Sequence, residues 1–463
     1  MNNTFLTPRE AQHLHWRAGF GVPPLKWQEK KFDLEEELEQ IFIPVKFFEE
    51  IKTIPTEKFD EMSMQPKEMA SMQTGVAEKK DKAFQGGVSF DFFKLMNNPK
   101  NTFREKMSLF WLNLFACQPE TPLAGQQFLN TIRKNALGDF KTLLREVVKH
   151  PVMLHYLSAR RNKKQSPNEN LARELMELFT LGRGNYTEGD VKEASRALTG
   201  WSYKDSSFKF EANFHDLEEK TIFGKRGNFD GDSLLDLILS KYDCAHYVTN
   251  RICKEFINYN ISPSAVKIYS KIFFDSGYDI CKLMRTIFTS KEFYKPENTG
   301  TQIKSPFDLL AGIALVSDLK FNNSHIFLDL QRNLGQEIFK PPNVAGWATG
   351  KGWINNNTLT LRLNLPDTFF KKKKLSFMLN NSLNQSYNNN EINNGAYYVS
   401  DWSSLNLRFN HLNSLDLPQH LLDYLIPSDL KFIDTFLPLD YSHSINPTEV
   451  AIKIMSLPEY QLC

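Results

Sequence analysis

Between residues 166 and 201 the chain reads SPNENLARELMELFTLGRGNYTEGDVKEASRALTGW, with Glu174 and Glu177 three positions apart. On a helix that spacing sets two carboxylates side by side, as an acid–base pair or a divalent-metal site requires. Asn168 and Arg173 stand beside them as groups that would bind or orient a substrate. The same stretch also satisfies a structural pattern. Glu169, Arg173 and Glu177 recur every four residues as an ion ladder, Gly182 supplies a left-handed helix end, and Thr187 with Asp190 makes a capping box. The Gly turn before YTEGDVKE has the cadence of a calcium-binding helix-loop-helix. With Asp190 as last ligand, however, Phe179, Leu181 and Arg183 fall where oxygen ligands are required, which excludes EF-hand-type calcium.

A second cluster follows at His215 and Asp216, with Asp230 and Asp232 in GNFDGD. A neutral imidazole beside carboxylates suits a metal or a proton relay, and a divalent metal is the cofactor these residues would hold. The structural alternative is a turn in which Asn and Asp bond their own backbone, followed by Asp232 capping a helix from Ser233. The third stretch, LGQEIFKPPNVAGWATGKGWINNNTLTLRLN, sets Trp347 and Trp353 near Asn343 between glycines. Flat aromatic faces beside amides bind saccharides or peptides; a Trp-rich loop that plugs the core is the competing reading. The chain has no His-Glu-x-x-His helix, no Gly-x-Ser-x-Gly elbow and no phosphate-cradling Gly loop with Lys and Ser/Thr.

These groups need elements to position them, and helical periods dominate. LTPREAQHLHWRAGFG reads as a helix capped by Thr7, with Pro8 first and Glu10 completing a capping box. TFREKMSLFWLNLFA is apolar nearly all round and belongs in a core. From about 125 to 330, long helical segments alternate with polar breaks, and strand-like alternation is scarce. The expectation is a mainly α fold: a large multi-helix domain with an irregular Gly/Trp/Asn-rich loop region and little β. Its parts are a helical start (1–61), a variable connection (62–95), a helical core (96–365), a Lys/Asn-rich surface loop (366–398) and C-terminal helices packed on the core (399–463). Lys and Arg total 56 against 54 Asp and Glu. That near-neutral balance gives no field to gather nucleic acid, and the run Lys371 to Lys374 reads as a solvated face. Five widely spaced cysteines argue against a disulfide scaffold. No secretory signal or membrane span is visible, so a cytoplasmic chain is expected from these features.

Read in order, HWRAGFG, REKMSLFW, PNENLARELMELFTLGRGNYTEGDVKEASRALTGW, HDLEEKTIFGKRGNFDGD, IKSPFDLLAGI and PPNVAGWATGKGWINNNTLTLRLN resemble the bacterial family termed domain of unknown function 1800. The resemblance covers nearly the whole chain and implies a largely helical, usually exported protein. It also implies a gene neighbour from a second family, number 1501, which looks like alkaline phosphatases and sulfatases. No reaction is implied. Members commonly read Trp-His-Asn-His-Phe where this chain has Trp111-Leu112-Asn113-Leu114-Phe115, so if those histidines bind metal in relatives, two ligands are gone here. The expectation is therefore a binding or assembly partner of a phosphatase/sulfatase-like protein in cell-surface or polymer metabolism. The alternative is a metal-dependent or carboxylate-based enzyme acting on a surface polymer or its precursor.

Overall fold

The Thr7 hydroxyl accepts the Glu10 N–H while the Glu10 carboxylate accepts the Thr7 N–H at 2.8 Å, so α1 (Pro8–Ala18) begins at the capping box written in the sequence. The computed structural model describes residues 5–27, 31–54, 74–204, 206–371, 398–427 and 446–463. Among them are nineteen α-helices and four two-stranded antiparallel ribbons, a mainly α architecture. After α1 come α2 (Leu34–Phe42), α3 (Thr74–Met96), α4 (Thr102–Leu114), α5 (Pro122–Asn135), α6 (Phe140–Val148) and α7 (Pro151–Tyr156). The middle of the chain supplies α8 (Asn170–Glu174), α9 (Glu188–Ala197), α10 (Gly231–Ser240), α11 (Tyr242–Phe256), α12 (Pro263–Asp275) and α13 (Ile280–Phe288). Last are α14 (Pro306–Ser317), α15 (Ser324–Leu334), α16 (Asn356–Phe370), α17 (Ser403–Phe409), α18 (Leu417–Leu425) and α19 (Pro447–Met455).

Helix α4 is the buried axis. Trp111 is fully enclosed, stacked against Phe115 and Phe140, and its indole N–H reaches the Ala136 carbonyl at 3.0 Å. A tryptophan burying roughly 200 Å² contributes about 5 kcal/mol at ~25 cal/mol/Å². The helix buries charge as well. Glu105 and Arg133 of α5 form a two-pronged pair, both contacts at 2.7 Å with neither side chain exposed. One continuous hydrophobic cluster runs from Leu6 to Cys463, and the C-terminal helices contribute Leu405, Leu421 and Val450 to it.

Two expectations need correction. Part of the stretch expected to be a variable connection is helical: residues 74–96 form α3, and residues 62–73 lie outside those described. Val88, Phe92, Phe93 and Met96 bury one face of α3, while Gly86 lets it approach α15, since a Cβ there would lie 3.2 Å from the Ser324 carbonyl. Helix α15 ends at Leu334, where Gly335 takes φ +89°. Helix α16 runs four residues past Pro366 because Leu365 and Phe369 beside it are core residues. The expected Lys/Asn-rich surface loop (366–398) is thus helical through Phe370, and residues 372–397, with the tail segment 428–445, lie outside the described residues.

The irregular stretch after Trp201 is two hairpins, β3 (Trp201–Lys204) with β4 (Ser207–Phe210) and β5 (Lys220–Ile222) with β6 (Lys225–Gly227). In this numbering β1 (Phe5–Leu6) pairs β2 (Phe32–Asp33), and β7 (Lys320–Phe321) pairs β8 (Tyr398–Val399). The β5–β6 turn holds Phe223 and Gly224 at φ +50° and +73°, as a two-residue hairpin turn demands, and Asp190 fixes it by accepting the Phe223 N–H at 2.6 Å.

Candidate functional site

Of the carboxylates singled out from spacing, Glu177 is engaged by structure, whereas Glu174 has no hydrogen-bond or ion-pair partner among the described residues. Arg173 bridges Glu169 at 2.9 Å and Glu188 at 2.7 Å, whereas Glu177 turns to Arg183 at 2.6 Å and Tyr186 at 3.0 Å. The expected ladder from Glu169 to Glu177 breaks because Leu175–Thr180 winds as a π-turn, in which Leu181 N–H reaches back five residues to Met176. The Arg183 contact draws the Glu177 carboxyl below its ordinary range; burial, then the charge of Glu177, pushes Glu174 up. Asn168 accepts the Asn170 N–H at 3.1 Å and closes the turn before α8.

His215 is buried, its Nδ1 sharing a proton with the Thr199 carbonyl at 2.8 Å. Asp216 is held by Arg196 at 2.7 Å; burial opposes ionisation, but this contact and the Glu218 N–H keep the carboxyl low. Asp230, not Asp232, caps the next helix. Its carboxylate accepts the Ser233 N–H at 2.8 Å and α10 starts at Gly231, which leaves Asp232 to pair with Lys149 at 2.6 Å. No hydrogen bond or ion pair joins Glu174 or Glu177 to His215, Asp216, Asp230 or Asp232 among the described residues. Nor do three His, Cys, Asp or Glu side chains converge there in a metal-holding group.

The third stretch leads elsewhere. Asn343 shapes a turn by accepting the Ala345 N–H at 2.8 Å, and the Trp347 N–H donates to Asn113 Oδ1 of α4 at 2.7 Å. Gly346 is obligatory at this crossing: φ is +93°, and a Cβ would meet Asn113 Oδ1 at 2.2 Å. Pinned this way, the loop lays Thr349, Gly350 and Trp353 along the rim of a cleft of about 250 Å³. Drug-sized pockets begin near about 300 Å³, so the cleft suits a ligand of monosaccharide size.

Its chemistry comes from four segments that spacing alone did not mark. Helix α1 gives Arg17, α4 gives Lys106, Phe110 and Asn113, α11 gives Arg251, Lys254 and Glu255, and the start of α14 gives Ser305 and Asp308. Lys106 and Asp308 meet at 2.5 Å with little exposure, and Asp308 also accepts the Ser305 N–H in a capping box. Glu255 faces this pair with no hydrogen-bond or ion-pair partner among the described residues. Burial holds its carboxyl above the ordinary range, Lys106 opposes, and Asp308 reinforces the rise. Two signals for these residues lay in the sequence: a lysine on a helix whose apolar residues cover nearly every face, and an aspartate in SPFDLLAGIALV, each requiring a buried partner. Leu112 and Leu114 are core residues outside the cleft, so the departure from Trp-His-Asn-His-Phe removes no group that lines it.

No helix among the described residues is long and apolar enough to cross a membrane. No curated protein and no solved structure matches the chain. The family model described as "Protein of unknown function (DUF1800)" matches residues 13–462, and with the motifs that build the cleft spread along that span, the chain belongs to this family.

Proposed function

We propose that the protein binds a small polar molecule in the α1–α4–α11–α14 cleft and acts on it through Glu255 as a carboxyl acid–base group. The observation that carries the reading is a carboxylate left without a partner inside an enclosed, charged cleft. Carboxylates in structural roles elsewhere in the chain, such as Glu105, Glu177 and Asp216, have their partners within 3 Å. A carboxyl that burial raises above its ordinary range can donate a proton to a leaving group and take one back as a base. Lys106 and Asp308, locked together, would hold the substrate's polar groups beside it. A cleft of this volume suits a precursor unit rather than a polymer strand, and its charged groups, one free carboxyl, an ion pair and three further cations, favour carboxylate over metal-dependent chemistry.

The test is 13C NMR of glutamate-labelled protein, with Glu255→Gln to assign the resonance. A Glu255 carboxyl titrating above the ordinary glutamate range supports the proposal. Titration within that range removes the acid–base role. Assembly with a phosphatase/sulfatase-like protein is a separate proposal, supported by the family resemblance. It predicts co-purification from native cells, and a capture that returns no such protein counts against it.

A further inference from the structure

We propose that the cleft is an oxyanion receptor: Arg17, Arg251 and Lys254 hold the phosphate, sulfate or carboxylate group of a sugar-sized ligand whose body lies against Trp353 and Tyr259. This rests on the reading of the cleft as the ligand site, and it names the ligand's chemical class.

The three cations share an unusual condition. None has a carboxylate within ion-pair distance among the described residues, although each lines a partly enclosed space. Arg17 is 2 % exposed, yet its guanidinium donates only to the Asn298 carbonyl at 3.3 Å and the Cys463 thiol at 3.6 Å, and its Nε has no acceptor. Arg251 reaches the neutral Tyr247 hydroxyl at 3.2 Å. Lys254 has no acceptor among the described residues; its ammonium stands 5.1 Å from the Tyr259 ring. Lys106, by contrast, is taken by Asp308. Four cations thus line the cleft against two carboxylates, Asp308 and Glu255, one of which is already committed.

A structural explanation for the unpaired cations is available and falls short. Arg17 and Lys254 lie in the last turns of α1 and α11, where the helix dipole favours positive charge. That effect is weaker than the cost of burying a guanidinium with no counter-charge in contact. An oxyanion supplies what the site lacks, because guanidinium donors match the paired oxygens of phosphate, sulfate and carboxylate, and the ammonium of Lys254 adds a third point of contact. The neighbouring surfaces complete the ligand. Trp353 is 6 % exposed on the cleft wall and Tyr259 is 59 % exposed at the mouth, so a ring held by its anionic group has one aromatic face inside and one outside.

The experiment is isothermal titration at fixed ionic strength with inorganic phosphate, sulfate, glucose 6-phosphate and glucose as probes. It uses the full chain, Arg251→Gln, Lys254→Gln and, as a surface control, Arg226→Gln, whose side chain is 74 % exposed and paired with Glu219. Expected are saturable binding of phosphate, tighter binding of glucose 6-phosphate, no binding of glucose, and a loss of tenfold or more in each cleft variant with none in the control. The half-buried Arg251 and Lys254 carry the test because a variant of buried Arg17 risks the fold. Absence of saturable binding by any oxyanion, or equal binding by wild type and cleft variants, overturns the proposal. Equal affinity for phosphate and glucose 6-phosphate assigns the site to a free anion and overturns the sugar-sized body. Oxyanion binding with an ordinary Glu255 titration refutes only the acid–base role; a displaced titration without oxyanion binding refutes only this inference.

Discussion

Replacing Gly346 by alanine tests whether the Trp loop is fastened to α4 as the geometry indicates. At φ +93° an L-residue pays backbone strain of about 1–3 kcal/mol. The new Cβ would lie 2.2 Å from Asn113 Oδ1 and 2.5 Å from the Asn113 carbonyl, both on a packed helix, which adds about 1–3 kcal/mol of overpacking. The sum, about 2–6 kcal/mol, rivals what docks the loop. One hydrogen bond to Asn113 contributes about 1 kcal/mol, and burying Trp347 about 5 kcal/mol. The chain therefore relieves the clash by opening the loop rather than by unfolding. Amide exchange at Trp347, whose N–H is given to Asn113, reads that opening directly. At 1.4 kcal/mol per tenfold, exchange should quicken by roughly 30-fold to 10⁴-fold. Gly350→Ala is the control: φ is +53°, no atom lies within 4 Å of the added Cβ, and the cost is about 1–2 kcal/mol of left-handed strain. If Gly346→Ala exchanges no faster at Trp347 than Gly350→Ala, the fastening does not exist.

Two further outcomes follow from buried polar groups. Glu105→Leu strands the Arg133 guanidinium between α4 and α5 and should cost about 3–5 kcal/mol in urea unfolding, most of it recovered on adding Arg133→Met; a single-variant cost under about 1 kcal/mol contradicts this. His150 accepts the Val152 N–H as cap of α7, and burial lowers its pKa to about 4 from 6.5. A depressed folded-state pKa contributes stability that is present above the unfolded value and lost as pH falls through the folded one, so wild-type stability should decline between about pH 6.5 and 4 more than that of His150→Gln. Parallel pH profiles for the two proteins would rule out His150 as the source.

Local chemistry was legible in the sequence. The capping boxes at Thr7 with Glu10 and Thr187 with Asp190 stand as read, because each is complete within four residues. The apolar residues that recur around nearly the whole of 102–114 placed α4 in the core for a similar reason. Three features were beyond pattern reading. The π-turn at Leu175–Thr180 adds one residue to a turn, and nothing in LMELFT marks an i to i+5 bond. Helix α3 escaped because a glycine such as Gly86, which lets α3 approach α15, looks like a loop residue when the partner helix is unknown. The cleft escaped because its pairs are remote: Lys106 and Asp308 are 202 positions apart, and spacing along the chain says nothing of spacing across it. Of the residues selected for chemistry, Trp353 reaches the cleft, and Trp347 and Asn343 shape the loop that bears it.

Helix α4 also has a bearing on how the lineage can change. Leu112, Asn113 and Leu114 are consecutive, yet their side chains leave the axis about 100° apart, the outer two into hydrocarbon and the middle one to the Trp loop and the cleft. Substitutions at 112 and 114 are judged by core packing; those at 113 are judged by the loop. The two records can drift independently. A change at the flanking positions leaves the lining of the cleft intact, and ancestral reconstruction should weigh position 113 apart from its neighbours when it asks which lineages kept the cleft.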